Sequence, residues 1–180
     1  MIELIVAMDP NGGIGMNNKL PWNCKEELKI FNKKTLNYIL LVGRKTAKYL
    51  PYLSDRKIVC LSKGKPQINE WPNSVEIINY LEDIEKYKEP IFISGGSQIY
   101  KLALERQNFV KKIHLSIMKK EYKCDTFFDI NWIKDFIITE KVEYEDFTHY
   151  VLDKTSNGEQ QYLDLLKNIL KNGIEREGRN

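Results

Sequence analysis

The 180 residues carry 28 basic and 25 acidic side chains, a net charge of +3, and 42% hydrophobic residues, which fits one ordinary domain with a real core and a short appendage. The charges are interspersed, which argues against nucleic acid as a partner, and no apolar run nears the ~18 residues of a membrane span. The start, Met1-Ile2-Glu3-Leu4-Ile5-Val6-Ala7, has no basic leader or cleavage site, and the three cysteines (Cys24, Cys60, Cys124) have no metal spacing, so reduced thiols, no metal and a cytoplasmic location are expected.

Strands are predicted over residues 3–8, 38–42, 57–61, 90–93 and 113–117. Several are near-continuous Ile/Leu/Val runs, the pattern of strands covered on both faces. Residues 136–144 and 148–153 read as a final antiparallel pair. Helices alternate with the strands. One over 25–36 is expected to start at an Asn23 cap, with Glu26 completing a capping box and Glu27, Leu28, Phe31 and Thr35 near one face. A short helix over 45–50 stops at Pro51, a weaker one covers 80–87, and another covers 97–106 after a Gly-Gly pair. The alternation predicts an α/β fold with a central, mostly parallel sheet, a C-terminal antiparallel strand pair and flanking helices.

The residues after 153 change character. Lys154-Thr155-Ser156-Asn157-Gly158 reads as a polar linker. Ser156 and Glu159 make a capping box, Tyr162, Leu165, Leu166, Ile169 and Leu170 form an apolar stripe, and Gly173 can close the helix. This predicts an extra C-terminal helix, residues 154–180 forming a unit separate from 1–153, whose apolar face packs on this domain or on a partner chain.

Five groups of residues point to chemistry. A glycine-rich loop ends in Leu20-Pro21-Trp22, and Glu27 follows on the first helical turn. An acid flanked by Leu28 and Phe31 suits a flat, nitrogen-rich ring, because a carboxylate accepts paired N–H bonds; a solvent-facing Glu next to Glu26 is the plainer reading. Gly43-Arg44-Lys45-Thr46 stands between a strand and a helix, where backbone N–H groups and two cations suit a phosphate, or simply form a solvated basic turn. Ser94-Gly95-Gly96-Ser97-Gln98-Ile99-Tyr100 lets a ligand approach the main chain, although it lacks the spaced glycines of ordinary dinucleotide folds. Leu61-Ser62-Lys63 offers a hydroxyl and a cation for a second phosphate, or is a turn with a surface lysine. Arg56, beside Leu50, Pro51, Tyr52 and Leu53, suits a carboxylate tail on an elongated ligand, or is a surface arginine. His114 and His149 stand alone and receive no catalytic role.

Taken in order over residues 2 to about 153, these pieces resemble dihydrofolate reductase: Ile5-Val6-Ala7, the Gly-to-Leu-Pro-Trp loop, Glu27 with Leu28 and Phe31, Gly43-Arg44-Lys45-Thr46, Arg56, Leu61-Ser62, Gly95-Gly96-Ser97 with Tyr100, and Asp125-Thr126. The resemblance implies NADPH as cofactor, hydride transfer from nicotinamide C4 to C6 of 7,8-dihydrofolate with protonation of N5, and a role in one-carbon metabolism. By resemblance Glu27, Trp22, Tyr100 and Ser116 form the catalytic group. Glu27 anchors the pterin N3–H and 2-amino group, and Ser116 stands where the family has a threonine bonded to that acid. Ile5, Ala7, Leu20, Leu28, Phe31, Leu50, Leu53 and Ser94 would line the substrate pocket, with Arg56 on the glutamate carboxylate. Ala7, Ile14 and Tyr100 would surround the nicotinamide, and Gly15, Leu20, Ser94 and Ile99 would also bind the cofactor. Arg44, Lys45 and Thr46, with the Gly95-Gly96-Ser97-Gln98 turn, would hold the phosphates, Ser62 and Lys63 would lie by the adenosine 2′-phosphate, and Gly43, Leu61 and Thr126 would also bind the cofactor. The Gly95-Gly96 bond is cis in this family, and residues 9–23 would be a lid. Ser94, Ala47 and Tyr49 depart from the family's usual aliphatic, tryptophan and serine, which bears on the pocket wall.

The tail over residues 159–179 resembles the opening of thymidylate synthase. That implies the reductase part of a fused reductase–synthase or a descendant of one, without synthase activity here, and either association with a synthase domain or self-association. Two other functions fit fewer of the motifs. A pyrimidine reductase of the same fold would not be expected to combine Leu-Pro-Trp, Glu27 and Arg56. A silent nucleotide-binding module would consume no NADPH with dihydrofolate.

Overall fold

The computed structural model describes residues 1–154 and Leu165. Its elements are β1 (Ile2–Met8), β2 (Gly13–Gly15), α1 (Lys25–Thr35), β3 (Ile39–Gly43), α2 (Arg44–Tyr49), β4 (Lys57–Leu61), β5 (Val75–Ile78), β6 (Ile91–Ile93), α3 (Ser97–Glu105), β7 (Lys112–Met118), β8 (Thr126–Phe127), β9 (Phe136–Glu143) and β10 (Phe147–Lys154), with 3-10 turns at Leu81–Lys86 and Ile130–Ile133. Eight strands form one sheet in the order β5-β4-β3-β6-β1-β7-β10-β9. The first five pairings in that order are parallel, and β10 runs antiparallel to both β7 and β9. The predicted mostly parallel sheet with an antiparallel C-terminal pair is the observed one.

The strand order reverses at β1. The chain leaves β1 toward β3 in one direction, and leaves β6 toward β7 in the other. Right-handed crossovers therefore put α1 and α3 on opposite faces. The apolar residues divide accordingly. Leu4, Val6 and Met8 of β1 join Ile99, Tyr100 and Ala103 of α3 in the larger cluster. Ile5 joins Leu40, Val42, Ala47, Ile58, Cys60 and Phe92 on the other face, with Phe31 of α1 packed against them. Strands buried on both faces explain why β1 and β3 read as near-continuous apolar runs, while β7 alternates, with His114 and Ser116 between Ile113, Leu115 and Ile117.

Several expectations change. The N-cap of α1 is Cys24, not Asn23, and no side chain caps the helix; with the start moved one residue on, the proposed Glu26 box cannot form. Leu28 lies 49% exposed rather than on the buried face. The segment predicted as a helix over 80–87 is a six-residue 3-10 turn. Strands β2, β5 and β8, of two to four residues, are too short to give a readable alternation. Strand β10 continues through Lys154, one residue into the segment marked as linker by composition. The predicted C-terminal helix lies outside the described residues except at Leu165, which is helical and buried within the larger cluster. Among the described residues no helix is long and apolar enough to cross a membrane.

The segment over residues 9–23 is tied to the one over 122–128. Asp9, 1% exposed, accepts bonds on Oδ1 from the Asn11 and Gly13 N–H groups (2.9 and 2.8 Å) and on Oδ2 from the Tyr122 N–H (3.0 Å). Farther along, Asp125 donates its N–H to Gly15 O (2.9 Å) and accepts from the Asn17 N–H (3.0 Å). Between these ties β2 pairs with β8. Gly12 permits the approach: its φ is +85°, and a Cβ there would sit 2.4 Å from Phe128 O. Gly64 has a similar φ of +73° with nothing within 4 Å of such a Cβ. Gly12→Ala is therefore expected to lose about 2 kcal/mol or more in urea unfolding, and Gly64→Ala about 1 kcal/mol from the backbone alone. Equal losses at the two positions would remove the Phe128 contact from the account.

Candidate active site

Reversal of strand order opens a crevice beyond the carboxyl ends of β1 and β6, the place where open α/β sheets take ligands. Ala7 stands at the end of β1 and Ser94-Gly95-Gly96 leaves the end of β6. The Gly95–Gly96 peptide is cis, as the family resemblance implied, and Gly95 has φ +114°, a left-handed conformation suited to glycine. Gly43 at the end of β3 donates its N–H to Gly95 O (2.8 Å). A Cβ on Gly43 would meet Ile99 Cγ1 at 2.9 Å, so a side chain there would push apart the starts of α2 and α3. Thr46 Oγ1 would lie 3.4 Å from a Cβ on Gly96 and 3.6 Å from one on Gly95. Two helix starts, at Arg44 and Ser97, thus meet over one cis turn.

That meeting point is suited to a polyanion. The first turns of α2 and α3 present backbone N–H groups, and Arg44 and Lys45 are exposed beside them. Gln98 is exposed, while the Ser97 hydroxyl is committed, donating to Phe127 O (2.8 Å). Ser97 therefore offers its backbone, not its side chain, to a ligand. At the end of β4 Ser62 is buried and Lys63 exposed. Asn79 donates to Ser62 O (2.7 Å) and holds that turn. Leu61 and Ile14 are half-buried against the larger cluster, and Thr126 lies against Gly15 with its Cβ 3.5 Å from where a Gly15 Cβ would be.

Across the crevice stands α1. Its inward positions recur with the helical period: Glu27, Phe31, Lys34 and Thr35. Glu27 is 7% exposed, and among the described residues no side chain or N–H group bonds its carboxyl. Burial alone pushes its pKa up to about 7. The Glu27 charge also helps hold the Tyr100 hydroxyl above its usual range, after burial as the larger cause, so the two groups share one neighbourhood. Tyr100 donates to Ile5 O (2.7 Å). Two more polar atoms here are buried and unpaired within the protein: Trp22 Nε1 and Ser94 Oγ. Trp22 is held by Met118, Phe147 and Tyr122, the last with its ring centroid 5.3 Å away. Buried polar groups without partners cost about 1–3 kcal/mol each, and a polar ligand edge would relieve that cost. Ala47 is 1% exposed in the Ile5 cluster, whereas Tyr49 is 47% and Leu20 52% exposed.

The far wall is shaped by residues invisible to motif reading. Asn73 accepts from the Leu53 N–H (2.8 Å) and donates to Leu50 O and Pro51 O (3.3 and 3.0 Å). It fixes the loop that carries Leu50 and Leu53, which with Phe31 pack half-buried around Ile5. Arg56 donates from Nε to Thr35 Oγ1 (3.1 Å), from one terminal nitrogen to Ser54 O (2.8 Å) and from the other to Asn32 O (2.6 Å). A guanidinium has five N–H donors; with three engaged, each terminal nitrogen keeps one for a carboxylate. Thr35, 0% exposed, links this arginine to α1 by donating to Phe31 O (2.7 Å). The expected bond between Ser116 and the acid is not formed. Ser116 Oγ is instead paired with His149 Nδ1 at 2.8 Å.

A family model described as dihydrofolate reductase matches residues 1–156. The dihydrofolate reductase of Mycoplasma genitalium is 38% identical over 154 residues, 82% of this chain and 94% of its own length. The bifunctional dihydrofolate reductase-thymidylate synthase of Paramecium tetraurelia is 29% identical over 98% of this chain, which spans 42% of that protein. A solved dihydrofolate reductase from Enterococcus faecalis, complexed with NADP(H) and RAB-propyl, superposes with a TM-score of 0.75 at 24% identity, covering 87% of this chain and 97% of that one.

The raised pKa of Glu27 has a thermodynamic consequence. Between pH 4.5 and about 7 the unfolded chain has lost this proton and the folded chain keeps it, so the wild type loses stability as pH rises. The effect levels off above pH 7, at about 3 kcal/mol for full expression of the shift. Glu27→Gln is expected to equal the wild type in urea unfolding at pH 4 and to exceed it by a few kcal/mol at pH 8. A difference independent of pH would contradict the buried, unpaired state of the acid.

Proposed function

We propose, because the chain belongs to the dihydrofolate reductase family, that it reduces 7,8-dihydrofolate to 5,6,7,8-tetrahydrofolate. Bound NADPH supplies the hydride, which goes to C6, and solvent supplies the proton that N5 takes up. The observation that carries this reading is Glu27, a buried carboxyl without a protein partner, one turn before Phe31, which packs with Leu50 and Leu53 around Ile5, on a helix to which Arg56 is bonded at Thr35 and Asn32. A pterin N3–H and 2-amino group complete the bonds that the protein leaves open at Glu27. Their donation favours the ionised acid, and the anion raises the basicity of N5 electrostatically. The two remaining N–H groups of Arg56 take a terminal carboxylate. Trp22 Nε1 and Ser94 Oγ, both unpaired in the protein, offer hydrogen bonds to the ligand or its water.

The residues also fit the cofactor. The cis Gly95–Gly96 turn admits close approach, the starts of α2 and α3 with Arg44, Lys45 and Thr46 take the bridging phosphates, and Ser62 with Lys63 takes the phosphate on the adenosine side. Ala7, Ile14 and Tyr100 enclose the ring that carries the hydride, and residues 9–23 cover it. For the tail, the Paramecium relative aligns beyond residue 156 and carries a synthase, which supports reading residues 154–180 as a segment that meets a thymidylate synthase domain.

Mixing the protein with NADPH and dihydrofolate is expected to bleach the NADPH absorbance. Glu27→Gln should lower turnover at pH 7 by about 10²-fold or more while leaving NADPH binding intact; a variant as fast as the wild type would sink the role given to Glu27. Arg56→Leu should raise KM for dihydrofolate by about 10-fold or more, as expected for a lost charge-assisted bond, with a much smaller change when the substrate lacks its glutamate tail. An equal rise with both substrates would assign Arg56 a purely structural role.

A further inference from the structure

Beneath α1 lies a polar network that the mechanism above does not use. Lys34 Nζ is 2.9 Å from His114 Nδ1 and 2.9 Å from His149 Nε2. The other nitrogen of His114 is 2.9 Å from Glu3 Oε1, and the other nitrogen of His149 is 2.8 Å from Ser116 Oγ. Tyr38 donates to the second oxygen of Glu3 at 3.4 Å. Glu3, Ser116, His114 and His149 are all at most 8% exposed.

The direction of each bond follows from the donors. An ammonium group has three N–H donors and no acceptor. The charge on Lys34 is opposed by its burial and supported by the carboxylates of Glu140 on β9 and Glu3 on β1. An ammonium 2.9 Å from both rings makes His114 Nδ1 and His149 Nε2 acceptors. Each neutral ring then carries its hydrogen on the opposite nitrogen: His114 donates from Nε2 to Glu3, and His149 donates from Nδ1 to Ser116. Burial first, then the Lys34 charge and His114, lower the pKa of His149 to about 3. Burial, with the charges of Lys34 and Lys112, likewise lowers that of His114, against the pull of Glu3.

Ser116 Oγ therefore receives a bond from His149, and its own hydrogen has no acceptor among the described residues. The register places Ser116 between Ala7 on β1 and His149 on β10. His149 occupies one side of Ser116, and its neighbour on the other side is Ala7, at the carboxyl end of β1 where the crevice opens. Glu27 faces the same pocket: Phe31 and Ile30, one turn along α1, pack with the clusters of Ile5 and of Ala7 and Trp22 respectively. We propose that Lys34 and His149 are positioning residues for the site, a one-way donor chain that presents the Ser116 hydroxyl hydrogen to the bound pterin and its acid. The proposal rests on the functional reading given above, and it assigns work to a histidine, His149, that has none by motif.

Long-range proton–nitrogen spectra of the full-length protein test the donor chain without any turnover. His149 is expected as the Nδ1–H tautomer and His114 as the Nε2–H tautomer, both in their neutral forms at pH 8, with His149 losing that preference in Lys34→Met. A wild-type His149 carrying its hydrogen on Nε2 would overturn the proposal, since that nitrogen could not then accept from Lys34. Kinetics test the positioning. Ser116→Ala and His149→Phe should each raise KM for dihydrofolate about tenfold, and the double variant should be no worse than Ser116→Ala alone. His149→Asn, whose amide places a donor near the former Nδ1, should recover most of the loss. A full His149→Phe effect in the Ser116→Ala background, or no recovery with Asn, would reduce His149 to a packing role. Wild-type protein with the expected tautomers but no reduction of dihydrofolate would overturn the functional reading and the positioning role built on it, and leave the donor chain standing.

Discussion

Parallel pairing of β1 with β6 on one side and β7 on the other is the constraint from which the rest follows. It sends the two crossovers in opposite directions and puts α1 and α3 on opposite faces. It also leaves the carboxyl ends of β1 and β6 without a helix above them. The cis Gly95–Gly96 turn, the end of β3 and the first turns of α2 and α3 meet at that gap because the strands deliver them there. The apolar clusters on the two faces hold the sheet rigid, so that short polar contacts at the gap keep their geometry.

Two buried carboxylates near the gap serve opposite ends. Asp9 accepts three backbone N–H bonds, is fully satisfied within the protein, and fastens one end of the covering segment. Glu27 has comparable burial and no such bonds, so desolvation is uncompensated and its pKa rises to about 7. The difference lies in the surroundings: a loop can turn its N–H groups inward, whereas the N–H groups of α1 beyond the first turn are already engaged in the helix. Unmet polar capacity at Glu27, Trp22 and Ser94 costs stability in the free protein and becomes recognition when a complementary ligand is bound.

The buried network at Lys34 extends this contrast. A buried cation is costly unless its donors are used, and here the two histidines accept two of the three without adding charge. Their lowered pKa values favour neutral rings, so the charges of the network are the Lys34 cation and the Glu3 anion and the two histidines add none. Along the opposite wall, Asn73 and Thr35 do comparable work for Leu50, Leu53 and Arg56: neither faces a ligand, yet each closes the backbone or side-chain bonds that orient one that does.

The sequence by itself determined the sheet class, through near-continuous apolar runs such as residues 3–8 and 38–42, the pattern of strands covered on both faces. It also supplied the candidates for the site, because Leu20-Pro21-Trp22, Glu27, Arg56, Gly43-Arg44-Lys45-Thr46 and Gly95-Gly96 are local patterns with local consequences. Cap choice at Cys24, the edge strand β5 and the small pair β2–β8 were not legible, since each depends on long-range pairing that overrides weak local preference. Only the tertiary structure decided that Ser116 pairs with His149 rather than with the acid, and that His114, His149, Lys34 and Glu3 form one network. Those residues stand on α1, β1, β7 and β10, up to 146 positions apart along the chain from Glu3 to His149. Hydrogen-bond direction at a histidine depends on what meets each ring nitrogen in space, and no spacing along a sequence records that.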